Sequence, residues 1–122
     1  MIPFANTAYA QPVTSVRTAR DTEYDVIARI TQRLSGAIAG KDQDRTAFLD
    51  ALFRNERLWS TLAADVADPG NGLPAALRAQ LFYLYRFTAD HSRKVRNGSA
   101  SAEVLVEINR AVLRGLRGGG AT

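Results

Sequence analysis

No cysteine occurs among the 122 residues. That excludes disulfides and thiolate chemistry, and denies zinc its usual sulfur ligands. No run approaches the roughly 18 apolar residues of a membrane span, so no membrane insertion is expected. The N-terminal stretch MIPFANTAYAQPVTS has no charged side chain before Arg17 and contains an A-x-A-like AYA. It lacks the positive n-region and continuous apolar core of a signal peptide, so it is expected to be a mature N-terminus. The absence of cysteine fits a cytoplasmic protein. Histidine and tryptophan occur once each, as His91 and Trp59. No segment alternates like a strand, and no internal repeat is visible.

What is present fits one folded domain, 1–122, with an N-terminal arm at 1–17 and a Gly-rich tail at 118–122. Its length and 46% hydrophobic content allow a single core. The net charge of +4 is unevenly placed. Residues 1–85 carry nine basic and nine acidic side chains, whereas from Arg86 onward there are seven basic and three acidic. Such a basic third can attract nucleic acid or an acidic partner. The plainer account is a solvated helix face, with Arg93, Lys94 and Arg96 compensating a helix C-terminus. The patch lacks the interleaved aromatics of a dedicated RNA surface.

Apolar spacing predicts four helices. The first begins near Arg20, capped by Thr18 or Asp21, and carries Tyr24, Ile27, Thr31, Leu34 and Ile38 on one stripe until Gly40 stops it. Ahead of it, FANTAYAQ can add one or two helical turns separated by Pro12. The second runs from about Asp42 to Ala67, with Phe48, Leu52, Trp59, Leu62 and Val66 on its seam, broadened by Leu49, Phe53 and Ala63. Asn55 falls on this seam. Either it fixes register as a buried polar group, or, in the reading preferred here, it lies at the stripe's edge bonded to water or a helix end. The third helix starts at Pro74, with Leu77, Leu81, Leu84, Thr88, His91 and Val95 as its seam. The fourth is capped by Ser99 or Ser101, carries Leu105, Ile108, Val112 and Leu116, and ends at Gly118–Gly120. The expected fold is all-α, a small up-and-down bundle of four main helices.

Within the third helix, LFYLYRF (81–87) is apolar on almost every side. Tyr83, Tyr85 and Phe87 cannot easily all point inward together with Leu81, Phe82 and Leu84. This surplus points to a protein-binding groove.

Chemistry is hard to find. His91 stands beside Asp90 and Ser92, but no nucleophile elbow or oxyanion loop accompanies it, and a lone helical histidine is more often packed or at the surface. The stretch Asp65–Ala76 fails as a calcium loop, because Ala67 and Pro69 replace ligands and Ala76 replaces the closing Glu. Read as turn chemistry, Pro69 and Gly70 fit a type II turn led by Asp68. No cofactor, metal or small-molecule substrate is expected, and no enzymatic activity.

Five segments resemble the FlaF family of flagellar biosynthesis regulators. They are Thr22-Glu23-Tyr24; Asn55-Glu56-Arg57-Leu58-Trp59-Ser60-Thr61-Leu62-Ala63-Ala64-Asp65; Asp68-Pro69-Gly70-Asn71 with Leu73-Pro74; His91-Ser92; and Ile108-Asn109-Arg110 with Gly115-Leu116. Together they span about residues 20–117. The resemblance implies a non-enzymatic protein needed for flagellin production and secretion. It would bind flagellin as an export chaperone and work with, and partly against, the translational regulator FlbT. A helical scaffold with excess apolar surface can shield the amphipathic flagellin termini by helix-in-groove packing. The candidate partner-binding residues are Phe82, Tyr83, Tyr85, Phe87, Asn55 and Trp59. An alternative is RNA binding on the flagellin message through Arg93, Lys94, Arg96, Arg110, Arg114 and Arg117.

Overall fold

In the computed structural model the backbone is described for residues 12–119, and side chains for 23–116. The described residues form four helices and no strand: α1 Pro12–Ala39, α2 Arg45–Ala67, α3 Ala75–Arg96 and α4 Glu103–Gly119. Short connections force each helix to run back along its predecessor. α2 packs against both α1 and α3, α1 also packs against α4, and α3 meets α4 only over a short stretch. This is the expected all-α bundle, with one seam left open.

The helix boundaries correct several expectations. α1 starts at Pro12 rather than near Arg20, so Thr18 and Asp21 lie inside the helix and not at its start. Proline suits a first helical position because its missing N–H would have no intrahelical partner there, and Pro12 is the first residue of the helix. The expectation of helical turns in FANTAYAQ lies outside the described residues. α2 begins at Arg45, three residues later than expected, because Asp44 is its N-cap and accepts from the Ala47 N–H at 3.0 Å. Pro74 occupies the N-cap position of α3, one residue before its first helical residue. Of the two candidate caps for α4, Ser101 is the one used: its Oγ accepts from the Glu103 N–H at 3.2 Å.

The turns show why the chain reverses where it does. Asp68–Asn71 closes with Asn71 N–H donating to Asp68 C=O at 2.9 Å. Yet Gly70 does not take the positive φ that a type II turn demands. The Asp68 carboxylate instead accepts from the Gly70 N–H at 3.0 Å, the local bonding that favours type I when Asp leads the turn. At the other end of α3, Gly98 has φ 82°. Its N–H donates to Val95 C=O at 3.1 Å and the Ser99 N–H to Lys94 C=O at 2.8 Å, a Schellman stop that requires a left-handed residue at this position.

The core is concentrated where α1 turns into α2 and α3 into α4. Leu34, Phe48, Ala51, Leu52, Val95, Ala102, Leu105 and Val106 form one buried cluster there. Towards the other end, Ile27, Trp59, Ala63 and Val66 stay buried on α1 and α2. Burial on α3 and α4 lapses: α3 has no buried residue before Thr88, and α4 none after Asn109 among the described side chains. Phe53, expected to broaden the α2 stripe, is 51% exposed. One residue beyond Leu52 means about 100° around the helix, which carries it off the seam.

Candidate functional site

The side chains singled out in the sequence separate into three groups. The first is internal. Asn55 and Trp59 are buried, and so is Asn109 on α4, which binds them both. The Trp59 indole N–H donates to Asn109 Oδ1 at 2.9 Å. The Asn109 amide donates to Asn55 Oδ1 at 2.7 Å and to Thr31 Oγ1 at 3.1 Å, while the Thr31 hydroxyl donates to Ile27 C=O at 2.7 Å. One amide thus ties α1, α2 and α4 together across the bundle. Asn55 does not lie at the edge of its stripe, as expected, but at its centre with 0% exposure. Asn109 made the difference, supplying a partner from a helix too distant in sequence for spacing to disclose. In this fold Asn55 and Trp59 hold helices together and offer no surface. Asn55 Nδ2 and Ser92 Oγ, also buried, make no hydrogen bond among the described residues.

The second group is the aromatic segment of α3. Tyr83 is 67% exposed, Phe82 40% and Phe87 38%, and Leu77 beside them is also exposed. Tyr85 is half-buried and packs its ring 5.6 Å from that of Phe82. The expected surplus of apolar side chains is therefore real, and it is borne by three of the four aromatics. The predicted seam of α3 holds only in its C-terminal half: Thr88 and Val95 are buried, Ser92 takes the place given to His91, and Leu77 faces solvent. His91 is half-buried, with its Nε2 2.7 Å from Ser101 C=O and its ring stacked 5.4 Å from Phe87. That contact lies beside the α3–α4 turn. Phe87, one helical turn further along α3, begins the uncovered part.

The third group is the basic set. Asp90 lies 2.7 Å from Arg93 and 3.3 Å from Lys94, and the Lys94 ammonium first, then Arg93, holds its carboxyl below the usual range. Arg96 pairs through both guanidinium nitrogens with Glu56 of α2, which raises its pKa further. Each of these three cations at the C-terminal end of α3 is thus paired, Arg93 and Lys94 sharing one carboxylate. Arg110 and Arg114 are exposed and make no ion pair among the described residues, and the Arg117 side chain lies outside those described. Arg110 also borders an open groove of about 370 Å³, between Tyr24, Thr31, Gln32 and Ser35 of α1 and Leu113 of α4.

The stretch DPGNGLP is a braced turn. Asn71 donates from Nδ2 to Asp65 C=O at 3.1 Å and accepts from the Leu73 N–H at 2.9 Å. Arg78 reaches back from α3 to Leu73 C=O at 3.2 Å. The turn thus fixes how the aromatic helix leaves α2. Among the described residues no cluster of three or more His, Asp or Glu side chains could hold a metal, and no helix is long and apolar enough to cross a membrane.

The model of one family, described as flagellar protein FlaF, matches residues 5–116. The chain belongs to the FlaF family. The match covers both the internal Asn55–Trp59–Asn109 hub and the exposed α3 segment. No curated protein and no solved structure matches the chain. Membership gives this protein a flagellar role.

Proposed function

We propose that this FlaF-family protein binds flagellin as an export chaperone and so promotes flagellin synthesis and secretion, acting in the cytoplasm alongside FlbT. It does so as a binding protein without catalytic activity. The observation that carries this reading is the uncovered aromatic half of α3, where Tyr83, Phe82 and Phe87 stand at the surface of a flagellar protein. Exposed apolar side chains clustered on one helix mark an interaction site. Amphipathic helices, such as the termini of an unassembled flagellin, bind grooves of this kind through apolar anchors.

The test is co-purification of the full chain with flagellin at moderate salt, repeated with Tyr83→Ala and Phe87→Ala. Both variants should stay folded and lose most of the captured flagellin. A wild-type protein that captures none would overturn the reading. Direct binding to the flagellin message is the weaker account, because three of its six proposed cations, Arg93, Lys94 and Arg96, are already paired with Asp90 and Glu56.

A further inference from the structure

Two asparagines of the chain are followed by glycine, Asn71-Gly72 between α2 and α3 and Asn97-Gly98 between α3 and α4. Such a pair is chemically labile, because a glycine nitrogen, unobstructed by a Cβ, can reach the preceding side-chain amide. In both turns that amide is folded towards the following backbone. Asn71 Oδ1 accepts from the Leu73 N–H at 2.9 Å, and Asn97 Oδ1 from the Ser99 N–H at 3.1 Å. Each Cγ therefore lies on the side of the chain where the glycine nitrogen is. Each Oδ1 also carries a donor ready for the negative charge that an attack would put there.

The two pairs differ at the glycine. The Gly98 N–H is held on Val95 C=O at 3.1 Å, and its φ of 82° makes glycine the residue that fits there. The Gly72 N–H makes no hydrogen bond among the described residues. Gly72 is exposed, its φ lies outside the left-handed region, and a Cβ on it would meet nothing within 4 Å. The fold thus leaves the Gly72 nitrogen unbonded and has no conformational need of a glycine at that position.

We propose that Asn71 is a site of spontaneous deamidation that unbraces the turn between α2 and α3. The Gly72 nitrogen, its proton taken by hydroxide, attacks Asn71 Cγ. The new C–N bond closes a succinimide as the Cγ–Nδ2 bond breaks. Nδ2 leaves as ammonia, taking its third hydrogen from water and so returning the hydroxide. Water then opens the ring at either carbonyl, giving aspartate or isoaspartate. The Asn71 amide donates to Asp65 C=O at 3.1 Å, and an ionised carboxylate has no hydrogen to give, so both products lose that bond. Both also add a negative charge to a turn that already holds Asp65 and Asp68 and into which Arg78 reaches. Isoaspartate further adds a methylene to the backbone just ahead of Pro74, where α3 is set off.

The full chain is incubated at mildly alkaline pH, both native and in urea, and the peptides containing Asn71 and Asn97 are followed by mass spectrometry. In the native protein Asn71 should deamidate at least about threefold faster than Asn97, the order that one amide hydrogen bond is worth in a rate. In urea the two should react alike, since both are Asn-Gly pairs. Gly72→Ala should stay folded and bring the native rate at Asn71 below that at Asn97, because the added Cβ hinders the attacking nitrogen and meets nothing in the fold. Deamidated protein, separated by its extra charge, should exchange faster at Leu73 and Arg78, whose N–H groups are bonded in the intact turn. Amides around Leu52 should not change.

Native Asn97 reacting as fast as Asn71, a difference that persists in urea, or a Gly72→Ala protein that reacts like the parent would overturn the proposal. So would deamidated protein whose exchange at Leu73 and Arg78 matches that of the parent. Flagellin enters none of these readouts, so this proposal and the chaperone reading stand or fall separately.

Discussion

Where α1 turns into α2 and α3 into α4, large apolar side chains are sealed: Leu34, Leu52 and Leu105 have 0% exposure, and Phe48 has 2%. At the opposite end of the same bundle, Tyr83, Phe82, Phe87 and Leu77 of α3 remain exposed. Both ends are built from similar apolar residues, so composition does not separate them. What differs is the number of neighbours each helix has. At the sealed end α4 closes against α3, with a Schellman stop and the Ser101 cap fixing the turn between them. Beyond the His91–Ser101 contact the two helices separate, and α3 keeps α2 as its principal support. The sealed core thus lies at one end, and the uncovered apolar surface at the other.

Substitution of the same kind at the two ends should have unequal effects. Leu105→Ala should lose about 2–5 kcal/mol in urea unfolding, because it empties a fully enclosed site. Tyr83→Ala should stay within about 0.5 kcal/mol of the parent protein, as is usual for surface changes. Comparable losses from both would mean that the open end is a second core.

The polar hub comes next in size. Asn109→Ala leaves the Trp59 N–H, Asn55 Oδ1 and Thr31 Oγ1 without the partner that Asn109 supplies. It should cost about 2–4 kcal/mol, since each orphaned buried group is worth roughly 1–3 kcal/mol and the others can partly relax. A loss below about 1 kcal/mol would show that water replaces the amide readily.

The hub also shows what was legible beforehand. Ile27, Leu34, Phe48, Leu52 and Leu105 could be placed inside from the 3.6-residue period alone, because each repeats its helix's own stripe. Asn55 could be placed on its seam but not in its bonds, since its partner lies 54 positions away. The aromatic surplus of residues 81–87 was evident from crowding on one helix. How much of that surplus stays uncovered depends on how α3 and α4 diverge. Helix period says nothing of that divergence. The helix start at Pro12 is not legible from the apolar stripe, because the stripe begins only at Tyr24.

A smaller effect is expected from the bridge between α2 and α3. Arg96→Ala should cost less than about 1 kcal/mol, because this pair is partly exposed and screened by water. The smallest is acid sensitivity. Asp90 is held below its ordinary range chiefly by Lys94, and Glu103 chiefly by the Ser101 hydroxyl. A depressed folded-state pKa contributes stability above the unfolded value and loses it as pH falls through the folded one. Unfolding midpoints should therefore drop slightly below the ordinary carboxylate range, and Asp90→Asn should flatten its share of that drop. A protein that gains stability over this interval would contradict the sign.

Hydrogen exchange of the full chain, alone and with flagellin, tests the division between the two ends most directly. The account predicts that amides of α3 from Leu77 to Phe87 gain protection in the complex, while those around Leu52 and Leu105 exchange slowly in both states and change little. Protection gained around Leu52 and Leu105 with none along Leu77–Phe87 would contradict it.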